Sequence, residues 1–238
     1  MSTLFAEQCR KVVCIGRNYV DHILELNNAR PTAPFFFLKP PSSMLVPGAG
    51  PILAPTGVNC HFEVELALVM GKTVKDFESK GKDPVVALKE VVDCLSGYAV
   101  GIDMTGRNVQ DEIKKKGLPW TTAKGFDTFL PISYFIPKEK VPDPSNVTLF
   151  LSVNGKTMQH DSTNLMMWKI PELLTAISSV MTLQPGDVVL TGTPKGVGSV
   201  VPGDHIDAHL EVDGEVVEES KISVDVANKG GIYAFGAN

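Results

Sequence analysis

The chain has 238 residues, of which 43% are hydrophobic and 21% are charged, and its formal net charge is −5 at pH 7. This composition is typical of a globular protein and excludes a disordered one. The negative charge argues against binding to nucleic acid, which needs a basic face, and no apolar run approaches the roughly 20 residues that cross a membrane.

The first part of the chain predicts short strands connected by turns. Apolar runs at 11–16 and 35–40 end in glycine and proline, and each predicts a strand, with room for a short helix within 17–31. A stretch rich in proline and glycine at 42–57 predicts a loop with short strands. The segment HFEVELALVMG, at 61–71, predicts the clearest strand, because polar and apolar residues alternate before a continuous apolar run.

The middle of the chain predicts two helices around a strand. An amphipathic helix over 83–95 starts behind an aspartate cap. Its apolar stripe is formed by Val85, Leu88, Val92 and Leu95. Residues 97–103 predict a strand that ends in Asp103, and residues 107–116 predict a short helix closed by a glycine.

The last part of the chain predicts hairpins. Asn-Gly and Asp-Gly are strong turn signals, and they predict hairpins within 147–159 and 205–224. Residues 170–183 predict a helix, and residues 186–194 predict a strand that leads into a glycine-rich loop.

These elements predict one domain. Many short strands with few helices, no internal repeat and no long linker favour a single α+β domain, mainly β, over residues 1–238, with residues 1–11 as an N-terminal extension. The four cysteines include no Cys-x-x-Cys pair. We therefore expect free, mostly buried thiols rather than zinc ligands or a disulfide framework.

Carboxylates at three positions predict a cation site. Glu63 and Glu65 share one strand face with His61, and like charges so close need compensation. Asp103, at the end of another predicted strand, is the best third carboxylate. Three carboxylates without cysteine suit Mg²⁺ or Mn²⁺. The alternative is a strand face exposed to water, with Asp103 as a helix cap.

A histidine–glutamate pair and a lysine are further candidates for catalytic residues. His22 and Glu25 are three residues apart, and a carboxylate beside an imidazole suits a general base that acts on water. The alternative is a surface histidine with a chance neighbour. Lys124 lies in an apolar stretch, where its ammonium needs an anionic partner unless its stem packs on Trp120 and its head reaches solvent.

The remaining candidates concern anion binding. Arg107 and Gln110 can reach a substrate carboxylate, or they are ordinary surface residues of a helix. The loop TGTPKGVG, at 191–198, lacks the phosphate-loop spacing, which excludes nucleotide binding by that motif, although its backbone N–H groups can still face an anion. His61 either supports the neighbouring glutamates or is a packed core histidine.

Several segments together resemble one known family. They are CIGRNYVDHILEL, FFFLKPPSS, HFEVELALVMG, GYAVGIDMTGRNVQ, KKKGLPWTTAKGFDTFLP and GDVVLTGTPKGVG. In this order they resemble the fumarylacetoacetate hydrolase superfamily, and within it the fumarylacetoacetate hydrolase domain-containing protein 1 group, whose members are described as acylpyruvases and oxaloacetate decarboxylases.

The resemblance implies a fold, an assembly and a set of site residues. It implies a mixed β-sandwich roll, usually a homodimer, in a mitochondrial or cytoplasmic soluble protein. The implied metal is Mg²⁺ or Mn²⁺, held by Glu63, Glu65 and Asp103. The implied catalytic residues are His22 and Glu25, which activate water on a lid segment, and Lys124. The implied substrate-binding residues are Arg107, Gln110 and Thr193.

The resemblance also implies a reaction. It is metal-dependent cleavage of the C3–C4 bond of small 2-oxo acids, either hydrolysis of acylpyruvates to pyruvate and a carboxylate or decarboxylation of oxaloacetate to pyruvate. Because both reactions leave an enolate at C3, a metal site of this kind also suits keto–enol tautomerisation of oxaloacetate. The resemblance is also compatible with isomerisation or hydration of dicarboxylic 2-oxo acids, and with a non-catalytic relative that binds a metal and an anion.

Overall fold

The computed structural model describes residues 1–25 and 29–236, and within them the chain is mainly β-sheet with short helices. The strands are β1 (Val12–Gly16), β2 (Phe35–Lys39), β3 (Met44–Leu45), β4 (Ile52–Ala54), β5 (Cys60–Phe62), β6 (Val64–Met70), β7 (Leu95–Ile102), β8 (Thr105–Gly106), β9 (Leu130–Pro131), β10 (Ile136–Pro137), β11 (Thr148–Val153), β12 (Lys156–Ser162), β13 (Val188–Leu190), β14 (Gly198–Val200), β15 (His205–Val212), β16 (Glu215–Val216) and β17 (Ile222–Asn228).

The helices are shorter and lie between the strands. The α-helices are α1 (Leu4–Gln8), α2 (Val20–Glu25), α3 (Pro84–Cys94), α4 (Arg107–Lys115), α5 (Thr121–Lys124) and α6 (Ile170–Ser178). The 3₁₀ turns are Pro41–Ser43, Lys138–Lys140, Thr163–Leu165 and Glu218–Ser220. Among the described residues, no helix has the length and apolar character that a membrane crossing needs.

Two mixed sheets form the body of the protein. The first sheet has the strand order β10-β7-β6-β13-β1-β2, and within it β1 and β13 are parallel. The second sheet has the order β12-β11-β15-β17-β4, with β16 beside β15, and within it β17 and β4 are parallel. Smaller sheets, β14-β5-β8 and β3-β9, adjoin them. This mainly β architecture confirms the predicted fold class.

The main hydrophobic core joins the two sheets. Its buried side chains include Leu66 of β6, Leu149 of β11 and Leu210 of β15. A second cluster covers the opposite face of the first sheet and includes Val69 of β6 and Phe5 of α1. Because both faces of β6 are covered, the whole strand is buried, which explains its continuous apolar run.

The segment 61–71 forms two strands where the sequence predicts one. β5 pairs with β14 and β8, whereas β6 pairs with β7 and β13, so the chain passes from one sheet to another at Glu63. The predicted alternation nevertheless holds across this break. Phe62 and Val64 belong to the main core, whereas the glutamates beside them line a cavity. The break places Glu63 at a corner between the small sheet β14-β5-β8 and the first sheet.

The predicted stripe of the helix at 83–95 is partly wrong. The helix α3 is present and Asp83 caps it, but Val85 is 75% exposed, while Ala87 and Val91 are buried. The reason is that α3 packs against α6. Ala87 and Val91, four residues apart, lie on the buried face of α3, and Val85 lies toward solvent.

Turn chemistry accounts for the two hairpin predictions. Asn154 and Gly155 have φ values of 50° and 77°, and Asp213 and Gly214 have values of 52° and 83°. Positive φ at both central residues is the requirement of the tight hairpin turn, which Asn-Gly and Asp-Gly satisfy at little cost. The second hairpin is shorter than predicted, because the return strand β16 ends at Val216 and the chain then crosses to pair β17 with the other edge of β15.

The cysteines are free, as predicted, and they differ in burial. Cys9, Cys14 and Cys60 are buried, while Cys94 is partly exposed. Burial raises the pKa of the Cys9 and Cys60 thiols to about 11, so both stay protonated at neutral pH. We expect iodoacetamide at pH 8 to alkylate Cys94 first, because alkylation needs an accessible thiolate. Peptide mass spectrometry over a time course checks this order, and equal labelling of Cys14 would contradict it.

Candidate active site

The predicted carboxylates meet where β6 and β7 lie side by side. The register places Glu65 opposite Gly101, and the Asp103 N–H donates to the Glu63 carbonyl at 2.8 Å. One oxygen from each of Glu63, Glu65 and Asp103, here called the carboxylate cluster, lies within 4.8 Å of the others. The three residues are 7%, 2% and 1% exposed. The alternative of a water-exposed strand face is therefore wrong.

Three basic side chains surround the carboxylate cluster. Lys124 Nζ donates to Glu63 Oε2 at 2.9 Å and to Asp103 Oδ2 at 2.6 Å. The Arg107 guanidinium donates to Glu63 Oε1 at 2.5 Å. Lys39 Nζ lies 2.7 Å from Asp103 Oδ1. Lys124 is only 1% exposed, so the alternative in which its head reaches solvent is wrong.

The two glutamates have opposite electrostatic environments. Burial opposes ionisation of Glu63, but Lys124 and Arg107 outweigh it and hold the pKa of Glu63 well below its usual range. Burial, Asp103 and Glu63 all raise the pKa of Glu65 well above its usual range. The Gly192 N–H donates to Glu65 Oε2 at 2.6 Å and offsets part of this rise. Glu65 is therefore the carboxylate whose charge the protein compensates least.

This donor set fits a hard divalent cation. Carboxylate oxygens are the ligands that Mg²⁺ and Mn²⁺ prefer, and the carboxylate cluster supplies three side chains at a spacing that one ion can bridge. Burial and the two neighbouring carboxylates disfavour the ionised form of Glu65 and raise its pKa, and a cation held by the cluster would compensate that charge.

The predicted histidine and its acidic neighbour lie on α2, beside the cluster. His22 is 6% exposed and lines the same cavity as Glu63 and Lys124, so the alternative of a surface histidine is wrong. Its Nδ1 lies 3.7 Å from Glu25 Oε2 and has no hydrogen-bond partner among the described residues. Burial is the main cause that lowers the pKa of His22. The imidazole is therefore neutral near pH 7 and able to accept a proton.

The glycine-rich loop at 191–198 holds α2 in place. The Gly196 N–H donates to the Glu25 carboxylate at 3.1 and 3.2 Å, and Lys195 Nζ donates to Asp21 at 3.0 Å. At the start of α2, the Asn18 side chain donates to the Thr191 carbonyl at 2.9 Å. The loop's backbone N–H groups thus bind carboxylates of the protein itself, Glu25 and Glu65.

The predicted substrate-binding residues all line the cavity, but they differ in how much of their hydrogen-bonding capacity the protein already uses. Arg107 donates to Gln110 Oε1 at 2.7 Å, and both side chains line the cavity. Thr193 also lines it, but its hydroxyl donates to the Val64 carbonyl at 2.8 Å. That proton is therefore committed to the backbone of β6. Thr193 forms a wall of the site and has little donor capacity left for a ligand.

His61 lies one contact away from the carboxylate cluster. Arg107 Nε donates to His61 Nδ1 at 3.4 Å, while the other end of the guanidinium binds Glu63. Burial and the Arg107 charge lower the pKa of His61 to about 4. His61 is therefore a neutral support for Arg107, which favours the supporting interpretation over a packed core histidine.

The cavity beside the cluster is small and has aromatic side chains in its lining. Its volume is about 30 Å³, and its lining includes Phe37, Trp120 and Arg17 in addition to the polar residues. The rings of Phe37 and Trp120 have centroids 5.2 Å apart, and Lys124 Nζ lies 5.0 Å from the Phe37 centroid. A small anion bound at the cluster would therefore lie against both charged and aromatic side chains.

Sequence reasoning missed two side chains that build this site. Lys39 precedes the final proline of the run FFFLKP, and a lysine in an apolar strand was a usable signal of a buried ion pair. Gln159, on β12, had no comparable signal. Its Oε1 accepts from the Val64 N–H at 3.0 Å, and its Nε2 donates to Thr193 Oγ1 at 2.8 Å and to the Pro194 carbonyl at 2.9 Å.

Replacing Gln159 with leucine is expected to lower the free energy of unfolding by about 2 to 3 kcal/mol, because buried backbone groups of Val64 and Pro194 lose their partners. Urea denaturation monitored by circular dichroism measures the change. Gln8→Leu, at an exposed position on α1, is the matched control and is expected to stay within about 0.5 kcal/mol of the wild type. Equal stability of Gln159→Leu and the control would contradict the interpretation.

Comparison with protein families identifies related proteins. Residues 11–220 match the fumarylacetoacetate (FAA) hydrolase C-terminal family. A mitochondrial oxaloacetate tautomerase from Schizosaccharomyces pombe is 56% identical over 205 residues, which are 84% of this chain and 88% of that protein. A mitochondrial oxaloacetate decarboxylase from Dictyostelium discoideum is 51% identical over 203 residues, which are 85% of this chain and 89% of that protein.

Solved structures show the same fold. The yeast protein ynq8, described as a fumarylacetoacetate hydrolase family protein, is 40% identical and superposes with a TM-score of 0.87 over 98% of this chain and 99% of that chain. Fumarylpyruvate hydrolase from Pseudomonas aeruginosa, in complex with Mn²⁺ and pyruvate, is 33% identical with a TM-score of 0.79 over 93% of this chain and 91% of that chain.

Proposed function

Since the chain belongs to the fumarylacetoacetate hydrolase family, we propose that it is an Mg²⁺- or Mn²⁺-dependent enzyme that forms the enolate of small 2-oxo acids, with oxaloacetate as the first substrate. The observation that carries this proposal is the buried carboxylate cluster with Lys124 bound to two of its members and a neutral His22 on the same cavity. This arrangement combines a cation site, a fixed positive charge and a proton acceptor around a single small volume.

Glu63, Glu65 and Asp103 would hold the metal. When bound, the cation supplies a Lewis acid that stabilises the negative charge on the 2-oxo oxygen. Lys124 supports the same charge, because its ammonium is fixed in the cavity and the nearby carboxylates raise its pKa despite the opposing effect of burial. Its positive charge is therefore present throughout the neutral pH range.

The remaining side chains bind the substrate and move its proton. Arg107 and Gln110 are hydrogen-bonded to each other on the cavity wall, and a guanidinium suits a substrate carboxylate. His22, neutral and with a free Nδ1, is the group to accept the proton from C3 and to return it. The rings of Phe37 and Trp120 line the same cavity and would shield one side of a bound acid from water.

Enolisation alone is sufficient for tautomerisation. Removing a proton from C3 of keto oxaloacetate and placing it on the 2-oxo oxygen gives the enol with no other reactant. The name of the Schizosaccharomyces pombe relative supports this reaction for the present chain.

Cleavage of the C3–C4 bond is the second candidate. The His22–Glu25 pair favours it, because water activated there would add to the C4 carbonyl of an acylpyruvate and release pyruvate and a carboxylate. Loss of the C4 carboxylate of oxaloacetate as CO₂ would use the same enolate and no water, and the name of the Dictyostelium relative supports that reaction.

A direct assay distinguishes these reactions. The purified protein is mixed with Mg²⁺ and enol oxaloacetate, and the loss of enol absorbance is followed together with pyruvate formation by proton NMR. We expect keto–enol exchange faster than in the no-enzyme control, and abolished by EDTA. Acetylpyruvate in a parallel reaction tests hydrolysis through the formation of acetate and pyruvate. No acceleration with either substrate would contradict the proposed function.

Location and assembly follow as parts of the same proposal. The Schizosaccharomyces pombe and Dictyostelium relatives are mitochondrial by name, which supports a mitochondrial location for this chain. A homodimer remains the prediction that the family resemblance makes. Light scattering after size-exclusion chromatography would measure the mass in solution, and a monomer at micromolar concentration would contradict it.

A further inference from the structure

Lys39 is a buried lysine at the end of β2, and it contacts the segment that carries Asp103. It is 1% exposed, and its Nζ lies 2.7 Å from Asp103 Oδ1. The same ammonium donates to the carbonyl of Met104 at 3.0 Å. Lysine is almost never fully buried unless it is paired. The two partners of Lys39 are on consecutive residues, Asp103 of the carboxylate cluster and Met104.

The two lysines that contact Asp103 approach it differently. Lys124 donates to Oδ2 and lines the cavity, whereas the described lining of the cavity does not include Lys39. The contact of Lys39 with Oδ1 is an ion pair without hydrogen-bond geometry, and its hydrogen bond goes to the Met104 carbonyl instead. Lys39 therefore acts on the cluster through Asp103 and does not face a ligand in the cavity.

We propose that Lys39 is a positioning residue for the metal site: it holds Oδ1 of Asp103 toward the interior and so keeps Oδ2 on the cavity side, where Asp103 would help to hold the cation. This inference rests on the proposed function, because it assigns Asp103 as a metal ligand. It adds a residue that does not itself touch the metal or the substrate.

The sign of the effect separates positioning from simple charge. By Coulomb's law alone, removing the positive charge of Lys39 would strengthen the binding of a cation nearby. If Lys39 positions Asp103, its removal frees the carboxylate to rotate and weakens binding. Groups that orient a metal ligand typically change metal affinity by roughly 10 to 100-fold, which is the loss we expect.

The test is calorimetric titration of metal-free protein with Mn²⁺. Lys39→Met and Lys39→Gln are both expected to bind Mn²⁺ roughly 10 to 100-fold more weakly than the wild type. The glutamine variant keeps a donor for the Met104 carbonyl but lacks the charge that faces Asp103. Wild-type affinity in Lys39→Gln would therefore overturn the inference, as would unchanged or tighter binding in Lys39→Met. If Lys39→Met does not fold, the glutamine variant carries the comparison.

A matched control separates positioning from stability. Lys11→Met removes another lysine–aspartate pair, with the buried Asp187, outside the cavity lining. We expect this control to lower the melting temperature and to leave Mn²⁺ affinity within about twofold. An equal loss of affinity in the control would overturn the inference, because lost stability would then explain both variants.

A double-mutant cycle tests the route through Asp103. In an Asp103→Asn background, Lys39→Met is expected to change Mn²⁺ affinity by less than about threefold, because the carboxylate that it positions is absent. A full 10 to 100-fold further loss would overturn the inference. Failure of the wild type to bind Mn²⁺ would instead overturn the proposed function and this inference together.

Discussion

Replacing Glu65 with glutamine is expected to abolish metal-dependent activity while the fold remains as stable as the wild type or becomes more stable. The carboxylate is 2% exposed and lies beside two other carboxylates, which, together with burial, raise its pKa. Glutamine has nearly the same shape, carries no charge and still accepts the hydrogen bond from Gly192. It therefore removes a repulsive charge but also one of the proposed metal ligands.

The expected loss of activity is large. If the cation stabilises several kcal/mol of charge in the transition state, its loss lowers the rate by roughly 10³-fold or more. Titration with Mn²⁺ and the oxaloacetate assay measure the two functional effects, and thermal unfolding in EDTA measures stability. Retention of both metal affinity and rate in Glu65→Gln would contradict the assignment of Glu65 as a ligand.

Glu63→Gln is the contrasting variant at the same cluster. Glu63 binds the buried Lys124 and the half-buried Arg107, so the neutral side chain leaves both basic groups without part of their compensation. Breaking a buried ion pair in this way costs about 3 kcal/mol or more. We expect Glu63→Gln to lose activity and stability together, whereas Glu65→Gln loses activity alone.

The difference in stability between Glu65→Gln and the wild type should depend on pH. The pKa of Glu65 in the folded protein lies above its ordinary value of 4.5. The unfolded chain therefore releases this proton at lower pH than the folded protein does, and the wild type loses stability as pH rises above about 4.5. The glutamine variant has no such proton. In metal-free buffer, the stability of Glu65→Gln relative to the wild type should therefore increase as pH rises above about 4.5. A stability difference that stays constant with pH would contradict the raised pKa of Glu65.

Local patterns were sufficient to predict most of the secondary structure near the site. Asp103 follows β7 as its strand pattern predicted, and α4 begins at Arg107 and closes before a glycine with a positive φ. These features depend on alternation, capping and turn residues that lie within a few positions of one another. Such short-range rules apply whatever surrounds the segment.

The break at Glu63 depended on contacts distant in sequence. An alternating run of apolar residues satisfies one long strand and two short ones equally well. Pairing with strands far along the chain decides between one strand and two, because β5 pairs with β14 near residue 199 and β6 pairs with β13 near residue 189. The exposed position of Val85 has the same origin, because the packing of α6 decides which face of α3 is buried.

The composition of the site was predictable only in part. Acidic residues at 63, 65 and 103 formed a pattern, because two share one predicted strand and the third ends another. Lys39 contacts Asp103 from 64 residues away in the sequence, and Gln159 contacts Val64 from 95 residues away. No spacing rule connects the members of either pair. Their roles follow from burial and hydrogen bonding in three dimensions.

Replacing His22 with alanine is expected to lower the hydrolysis of an acylpyruvate by roughly 10² to 10⁴-fold, the range typical of a lost general base. Decarboxylation of oxaloacetate needs no attack by water, so it should fall less. His160→Ala is the matched control, because His160 lies on β12 with an exposed side chain, outside the lining of the cavity. Comparison of both rates for both variants, at saturating Mg²⁺, measures the difference.

The pH dependence gives an independent check on His22. Burial is the main cause that lowers its pKa below the ordinary value of 6.5, so the neutral form that accepts a proton persists into mildly acidic buffer. Hydrolysis by the wild type should therefore decline only on the acid side of pH 6.5, and this decline should disappear in the residual rate of His22→Ala. If hydrolysis and decarboxylation fell equally in His22→Ala, and the acid decline persisted, His22 would not be the base that activates water. Glu25, held by Gly196, would then serve to anchor α2 rather than to orient an imidazole.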